Sequence, residues 1–320
     1  MECLPYQLLV IDDTTHSLLL VDSPNGEIIV EMPYPSGLTP TELFLAPDLT
    51  KAYIPAVGKN GSGALLVANL EKRSIYRLPM KLPQPIQFTL SPDGNSAYLS
   101  DPDGVLYVLE IPTMSLKSLG NPSKATCVGL AVDHHAVYSV WELSDQGTLV
   151  VFDLNGQLIN EHTLPGIPTN IILDACGHIY IPFTTIDFAI EGIMCFNKTR
   201  SEDNTPAVIT AERCIYPYTT SPSAAYPSHV ATWPDEHIAY VVNEESSSIT
   251  VIDSNTAAII RHIELGRSIS CLHILPGGDF GIATSHIFAD LSLIDLRNGR
   301  LLATTDTKRE LLAYIAVIPK

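Results

Sequence analysis

One kind of segment recurs seven times along the 320 residues, and this repeat leaves few folds open to the chain. Each copy is an apolar, strand-like run that ends in Asp, Asn or Glu. The last residues of the seven copies are Asp22, Asn69, Glu110, Asp153, Asn197, Asp253 and Asp295. Successive copies are 47, 41, 43, 44, 56 and 42 residues apart. A period in the low forties is typical of four-stranded blades, so the repeat predicts an all-β, seven-bladed β-propeller that forms a single domain over residues 1–320.

Turn-forming residues stand upstream of several copies of the segment. They read Ala46-Pro47-Asp48, Ser91-Pro92-Asp93-Gly94, Trp233-Pro234-Asp235 and Pro276-Gly277-Gly278-Asp279. Because Pro presets φ and Asp or Gly suits a tight reversal, these turns are predicted to join the first and second strands of a blade. The chain has no sustained helical periodicity, which favours antiparallel four-stranded blades throughout.

The two ends of the chain complement each other. The N-terminal region supplies three predicted strands, at 7–11, 17–22 and 27–32, and the C-terminal region supplies one, at 311–318. Pairing the C-terminal strand with the N-terminal strands would complete the seventh blade and remove open sheet edges.

One blade resembles a known repeat. The segment 239–253 reads Ala-Tyr-Val-Val-Asn-Glu-Glu-Ser-Ser-Ser-Ile-Thr-Val-Ile-Asp, and 256–266 ends Ile-Glu-Leu-Gly. This pattern resembles the repeat of YVTN-type (YncE-like) seven-bladed propellers, with a fair match around 291–302 and degenerate copies elsewhere. The resemblance implies the fold across the whole chain, but such propellers include binding proteins, surface proteins and enzymes.

The charge balance favours some partners over others. The chain carries 18 Lys and Arg against 35 Asp and Glu, a formal net charge of −17. Such a surface repels phosphate backbones, so we expect no nucleic-acid partner, and it attracts cations, cationic ligands and basic proteins. Acidity that serves only solubility is the alternative interpretation.

The cysteines and apolar runs predict a soluble protein whose thiols are reduced. None of the six cysteines forms a CxxC pair, so we expect buried thiols and neither a structural zinc site nor a disulfide framework. The apolar runs are too short for a membrane helix, so we expect no membrane insertion. A cytoplasmic location is expected, or a secreted one if a signal peptide has been removed.

Propeller polarity predicts where a site would lie. Loops that follow the second and fourth strands gather at one face, around the mouth of the central channel. The first-strand positions predicted there are Glu42, Gln87, Val128, Asn170, His229, Leu272 and Tyr314. The predicted ligand-binding residues are Glu42, Gln87, Asn170, Tyr226, His229, Asn243 and Tyr314.

Three interpretations of these residues stay open. Polar groups at a hydrated channel mouth need no function. Oxygen and nitrogen ligands from Glu42, Asn170, His229 and Asn243 could bind a divalent cation, although the identity of any cofactor is unknown and no ligand spacing is diagnostic of a metal. His229 with Glu244 or His286 is a candidate acid/base pair for catalysis.

The spacing of 56 marks extra loops in the fifth and sixth blades. We predict a polar loop at 198–206 on the face opposite the site, and a loop at 215–228 that leads into His229. The second loop contains Tyr216, Tyr218 and Tyr226, whose flat amphipathic side chains suit binding. A further enlarged loop is predicted at 183–189, with Phe183, Asp187 and Phe188.

Two classes of function follow. The first is a binding protein whose acidic face holds a protein partner, a cation or a small cationic ligand. The second is an enzyme at the channel mouth, a lyase, lactonase or hydrolase. Streptogramin lyases resemble the chain at Pro227-Ser228-His229 and Glu244, but their repeated Trp-Phe-Thr-Glu strands are absent here.

Overall fold

The computed structural model describes residues 6–22, 26–121, 125–199, 208–216, 225–233, 237–285, 287–288, 290–306 and 311–319. Within these ranges the chain forms thirty β-strands and no helix, and so no helix that could cross a membrane. The strands belong to two compact units. Unit 1 comprises residues 1–85 and 269–320, and unit 2 comprises residues 86–268.

The strands follow one another closely along the chain. The first twelve are β1 (Tyr6–Asp12), β2 (Ser17–Asp22), β3 (Glu27–Pro33), β4 (Leu38–Pro40), β5 (Phe44–Leu45), β6 (Lys51–Gly58), β7 (Gly63–Asn69), β8 (Ser74–Arg77), β9 (Gln87–Leu90), β10 (Ser96–Ser100), β11 (Leu106–Glu110) and β12 (Ser115–Gly120). The next nine are β13 (Thr126–Val132), β14 (Ala136–Glu142), β15 (Gly147–Asp153), β16 (Leu158–Leu164), β17 (Ile167–Pro168), β18 (Ile172–Leu173), β19 (His178–Thr184), β20 (Glu191–Thr199) and β21 (Val208–Ile215). The last nine are β22 (Pro227–Trp233), β23 (Ile238–Asn243), β24 (Ser248–Asp253), β25 (Ala258–Glu264), β26 (Cys271–Ile274), β27 (Phe280–Thr284), β28 (Asp290–Asp295), β29 (Arg300–Asp306) and β30 (Leu311–Pro319).

Unit 1 contains three antiparallel blades. Their strand orders are β3-β2-β1-β30, β4-β6-β7-β8 with β5 also on β6, and β26-β27-β28-β29. In the first of these blades, β30 pairs with β1 from Tyr6 opposite Pro319 to Asp12 opposite Leu311. The predicted pairing of the C-terminal strand with the N-terminal strands is therefore confirmed.

Unit 2 contains four antiparallel blades. Their strand orders are β12-β11-β10-β9, β13-β14-β15-β16, β17-β19-β20-β21 with β18 also on β19, and β22-β23-β24-β25. In each of these blades a strand that is buried along most of its length pairs with neighbours on both edges, as β14 and β23 show. Apolar side chains on both faces of this second strand explain its continuous apolar sequence, since alternation appears only where one face meets water.

Buried tyrosines at one position of the second strand form hydrogen bonds within their own blade or to the next blade of unit 2. Tyr98, Tyr138 and Tyr180 are almost fully buried, and a buried phenol needs a hydrogen-bond partner. Tyr98 donates to the carbonyl of Leu154 in the next blade at 3.5 Å. Tyr138 donates to the carboxylate of Asp133 at 3.0 Å, and burial raises the pKa of this phenol. Tyr240, the tyrosine of the YVTN-like segment, is 3% exposed and is therefore a packing residue as well.

Prolines in two second strands explain why two first strands are split. Pro55 in β6 and Pro182 in β19 have no N–H to donate to a ladder, and the strands opposite them are divided into β4 with β5 and into β17 with β18. At each gap the N–H of a threonine donates a hydrogen bond to the carbonyl of the proline. Thr41 donates its N–H to the Pro55 carbonyl at 2.9 Å, and Thr169 donates to the Pro182 carbonyl at 3.0 Å.

With each split strand counted once, the two units contain seven four-stranded antiparallel blades, so the fold is the predicted seven-bladed β-propeller. One predicted loop begins too early. Lys198 and Thr199 belong to β20, because pairing with β21 continues as far as Thr199 opposite Val208. The rest of the loop predicted at 198–206 and the predicted turn at Pro234 and Asp235 lie outside the described residues.

Deletion of residues 313–320 should destabilise the protein strongly. The deletion removes most of β30, including the buried Ile315, and uncovers Leu8 and Val10 of β1. Each buried aliphatic side chain contributes about 1.5–3 kcal/mol, and 1 kcal/mol shifts the melting temperature of a protein of this size by roughly 2 °C. We therefore expect the melting temperature, measured by circular dichroism, to fall by about 10 °C or more.

Point variants in the same blade provide the control. Ile315→Ala should lower the free energy of unfolding by about 2–4 kcal/mol, because it leaves a cavity between strands. Ile29→Ala, which truncates an exposed side chain on β3, should cost less than about 1 kcal/mol. An unchanged melting temperature in the deletion variant would show that β30 does not stabilise this blade.

Candidate functional site

One position in the first strand of every blade has the same register. It lies two residues before the first-strand partner of one second-strand residue. These second-strand residues are Leu9, Tyr53, Tyr98, Tyr138, Tyr180, Tyr240 and Ile282. Gln87, for example, lies two residues before Thr89, the partner of Tyr98. We call this set of positions the inner row. In unit 2 it consists of Gln87, Gly129, Asn170 and His229. In unit 1 it consists of Glu42, Cys271 and Tyr314.

The predicted first-strand positions match the inner row in five blades and miss it in two. Val128 is wrong because it is the extra residue of a β-bulge between Cys127 and Gly129, which moves the register by one. Leu272 is wrong because it is buried, and Cys271 occupies the row position.

Side chains of the inner row are half-buried wherever the row residue has one, and the residue that follows each of them is buried. His229 and Val230 show this alternation, since Val230 is only 2% exposed. Successive side chains of a strand point to opposite faces, so the row faces away from the packed interior. In unit 2 the row offers an amide at Gln87, an amide at Asn170 and an imidazole at His229. Asn170 already accepts a hydrogen bond from the Ile171 N–H at 2.7 Å.

Two row residues of unit 1, Glu42 and Cys271, act electrostatically on the third, Tyr314. Burial is the largest cause that raises the pKa of Tyr314 to about 12, followed by the negative charges of Glu42 and Cys271. The Tyr314 phenol therefore stays neutral at physiological pH and can donate a hydrogen bond.

Tyr226 lies beside several carboxylates in unit 2. Its backbone has φ of 49°, and its carbonyl accepts the Glu244 N–H at 3.1 Å, which holds the start of β22 against the end of β23. Burial raises the pKa of the Tyr226 phenol, and the charges of Glu244, Glu142 and Glu245 raise it further. Tyr226 and Glu244 thus meet at the same end of this blade.

Glu191 holds the residues that precede β22 in place. Its two carboxylate oxygens accept the N–H groups of Ala225 at 2.5 Å and Tyr226 at 3.0 Å. Hydrogen bonds to an ionised group are among the stronger ones in proteins, so Glu191 fixes the approach to His229. Nothing in the chain order indicates that Glu191 bonds to backbone 34 residues away, so sequence reasoning did not identify this contact.

Two candidate residues stand apart from the others. Asn243 is fully buried, and its amide donates to the Thr250 hydroxyl at 3.0 Å and to the Ser248 hydroxyl at 3.3 Å. Its N–H₂ group therefore bonds inside its own blade, and the ligand role of Asn243 stays a prediction. His286 lies outside the described residues.

The loops between second and third strands of unit 2 share one composition. These loops span 101–105, 143–146, 185–190 and 244–247, and together with the adjoining strand residues Glu142 and Glu191 we call them the second-loop edge of unit 2. They contain eight carboxylates and neither Lys nor Arg. Two of the carboxylates are used locally: Asp101 accepts the N–H groups of Asp103 and Val105, and Asp187 accepts the Thr185 hydroxyl and the Ala189 N–H.

One of these loops exposes large apolar side chains. Ile186, Phe188 and Ile190 are 58%, 55% and 49% exposed. The loop is a rigid turn, because Thr185 donates its hydroxyl to the Asp187 carboxylate at 2.6 Å and accepts the Phe188 N–H on its carbonyl at 2.9 Å. The hydrogen bonds from the Thr185 hydroxyl and the Ala189 N–H lower the pKa of Asp187. The predicted loop at 183–189 begins too early, since Phe183 belongs to β19 and is fully buried.

The described part of the chain contains no cluster of the usual metal-binding side chains. Among the described residues, no three His, Cys, Asp or Glu side chains lie close enough together to hold a metal ion. The carboxylates of the second-loop edge are spread over four loops, whereas a cation such as Ca²⁺ needs six to eight oxygens around one point.

Comparison with solved structures places the fold among known propellers. A functionally unknown protein from Desulfotomaculum acetoxidans matches with a TM-score of 0.74 and 12% identity, covering 98% of this chain and 99% of the other. The periplasmic gluconolactonase of Pseudomonas aeruginosa matches with a TM-score of 0.72 and 14% identity, again over 98% and 99%. AztD from Citrobacter koseri matches with a TM-score of 0.59 and 11% identity, over 98% and 97%.

These likenesses show the fold alone, because enzymes and other proteins share this fold at similarly low sequence identity. The sequence matches no protein-family model, and it matches no curated protein. Membership of the YVTN-repeat family therefore stays a prediction. The comparisons establish a chain whose fold is that of seven-bladed propeller proteins.

Replacement of Tyr314 by Phe should change the alkaline stability of the protein. A phenol with a pKa near 12 in the folded state and near 10 in the unfolded state stabilises the fold fully below pH 10. This contribution is lost as the pH rises from about 10 to 12, because only the unfolded chain then releases the proton. Tyr314→Phe should make the fall in unfolding free energy shallower, by up to about 1.4 kcal/mol per pH unit.

Urea unfolding at several pH values between 9 and 12 measures this slope. Glu42→Gln keeps the phenol and removes one of the charges that raise its pKa, so it should produce a smaller change in the same direction. Parallel curves for Tyr314→Phe and the unmodified protein would contradict the burial of this phenol.

Proposed function

We propose that this protein is a binding module that holds a cationic protein partner at the second-loop edge of unit 2. The observation that carries this proposal is the rigid turn at 185–190, which exposes three large apolar side chains among loops that contain only acidic charged residues. The second-loop edge thus combines exposed apolar side chains with carboxylates.

The charge supports a basic partner. A surface of one sign steers an oppositely charged partner toward it and excludes partners of the same sign. Glu142, Glu244 and Glu245 lie near enough to Tyr226 to raise its pKa, so at least these three carboxylates share one neighbourhood. Each exposed ion pair contributes little by itself, but several together set the association rate and its salt dependence.

The apolar turn supports a protein partner over a small cation. Isolated exposed apolar residues are common, but three at 186, 188 and 190 on one short turn give a partner a compact apolar contact. The turn is already ordered by the Thr185 and Asp187 hydrogen bonds, so little entropy is lost when a partner binds. A small cation would gain nothing from these side chains.

A catalytic function at the inner row is the second candidate. It is favoured by one observation, the half-buried imidazole of His229 on a row that also carries the amides of Gln87 and Asn170. An imidazole and two amide side chains on one row are groups that general acid/base catalysis on a small polar substrate can use. His229→Ala should abolish any such activity and should leave partner binding unchanged, which separates the two functions.

Neutralising the second-loop edge should weaken binding of a basic partner. The probe is a fluorescent amphipathic peptide of alternating lysine and leucine clusters, titrated at low and physiological salt. The triple variant Glu142→Gln, Glu244→Gln, Glu245→Gln should weaken binding by about tenfold at low salt, corresponding to roughly 1.4 kcal/mol. It should also reduce the salt dependence.

A matched variant separates a local effect from a general effect of net charge. Glu110→Gln, Glu161→Gln, Glu264→Gln removes the same charge from exposed positions on β11, β16 and β25. It should weaken binding by less than about twofold. Phe188→Ser should lower affinity with an unchanged salt dependence. Equal losses in the two triple variants would refute the proposed surface.

A further inference from the structure

Cys176 differs from the other cysteines that the structure describes. It is exposed, whereas Cys127 and Cys195 are buried and Cys214 and Cys271 are half-buried. Its Sγ lies 3.7 Å from Nδ1 of His237, a hydrogen-bond distance for sulfur. The expectation of buried cysteines is therefore wrong for Cys176, because its turn falls between two strands at the surface.

The turns that carry the two side chains are held by several hydrogen bonds. Cys176 lies in the turn between β18 and β19, where the Gly177 N–H donates to the Asp174 carbonyl at 3.2 Å and the His178 N–H donates to the Asp174 carboxylate at 2.7 Å. His237 precedes β23 with φ of 52°, and its carbonyl accepts the Ser254 N–H at 2.8 Å. The sulfur and the imidazole therefore meet at a defined distance.

Charged groups of both signs lie around the turns that carry Cys176 and His237. The Asp253 carboxylate interacts with His237, and its pKa is lowered mainly by the Thr256 N–H and in part by the charge of His237. Lys198 lies against Gly177, the residue after Cys176, and pairs with Asp133. A further carboxylate near Cys176, that of Asp174, is bound by Nδ1 of His178 at 2.8 Å.

We propose that Cys176 and His237 form a reactive thiol site that exchanges with low-molecular-weight disulfides. Nδ1 of His237 takes the thiol proton, and the Cys176 sulfur attacks one sulfur of the small disulfide. A new S–S bond joins the small molecule to Cys176, the original S–S bond breaks, and the second half leaves as a thiolate. That thiolate takes the proton back from the imidazolium, so the exchange has no net change in protons or oxidation state.

This site is independent of the proposed partner surface. Cys176 and His237 lie in turns between first and second strands, at the opposite end of their blades from the loops that follow the second strands. The Cys176 modification can therefore be tested without any knowledge of the partner.

The test uses the full chain and glutathione disulfide at pH 7. Intact mass follows the addition of one glutathione, and peptide mapping identifies the cysteine. We expect Cys176 to be modified first, and His237→Gln to slow its modification about tenfold, since it removes the proton acceptor. His134→Gln, which removes an exposed histidine from a turn of the neighbouring blade, should change the rate by less than twofold.

A rescue experiment distinguishes proton transfer from a structural effect. His237→Ala leaves space beside the sulfur, and added imidazole should restore much of the lost rate if His237 acts as a base. Thermal unfolding of each variant shows whether the turn survives the substitution. First modification of another cysteine, an unchanged rate in His237→Gln, or failure of imidazole to rescue a folded His237→Ala variant would overturn the proposal.

Discussion

The buried second strand of each blade is the element on which the other positions depend. It pairs on both edges, and its register with the first strand decides which side chains of that strand face away from the packed interior. A shift of one residue would exchange His229 with the buried Val230. The second strands also carry the buried tyrosines. In one blade the second strand is β19, which is preceded by the turn of Cys176 and followed by the loop of Phe188.

Unit 2 therefore presents different chemistry at the two ends of its blades. After the second strands, the loops combine carboxylates with the exposed apolar turn around Phe188, a combination suited to non-covalent binding. Before the second strands, the Asp residues are largely occupied by backbone N–H groups of their own turns, as Asp93 and Asp133 show. Cys176 and His237 lie within hydrogen-bonding distance of each other at this same end of the blades.

Local sequence identified much of the site but could not identify contacts between distant segments. The predicted first-strand positions coincide with the inner row at Glu42 and Gln87, because the turns at 46–48 and 91–94 allow each strand to be counted back from its end. They were wrong at Val128, where a bulge adds a residue that no side-chain pattern signals. The pairing of Cys176 with His237 joins residues 61 positions apart, and the capping of Tyr226 by Glu191 joins residues 35 apart.

The sequence by itself determined the number of blades, their antiparallel strands and the pairing of the chain ends, because a repeated apolar strand with turn residues at fixed offsets can bury its faces only by stacking. Only the tertiary structure decided which polar side chains are hydrogen-bonded inside the blades and which are exposed. Asn243 looked like a ligand in the sequence, yet its N–H₂ group is bonded inside its blade, while Cys176 looked like a core thiol and lies exposed beside an imidazole. Burial and hydrogen bonding depend on which neighbours the fold brings alongside, and neighbours from other blades leave no periodic mark in the chain.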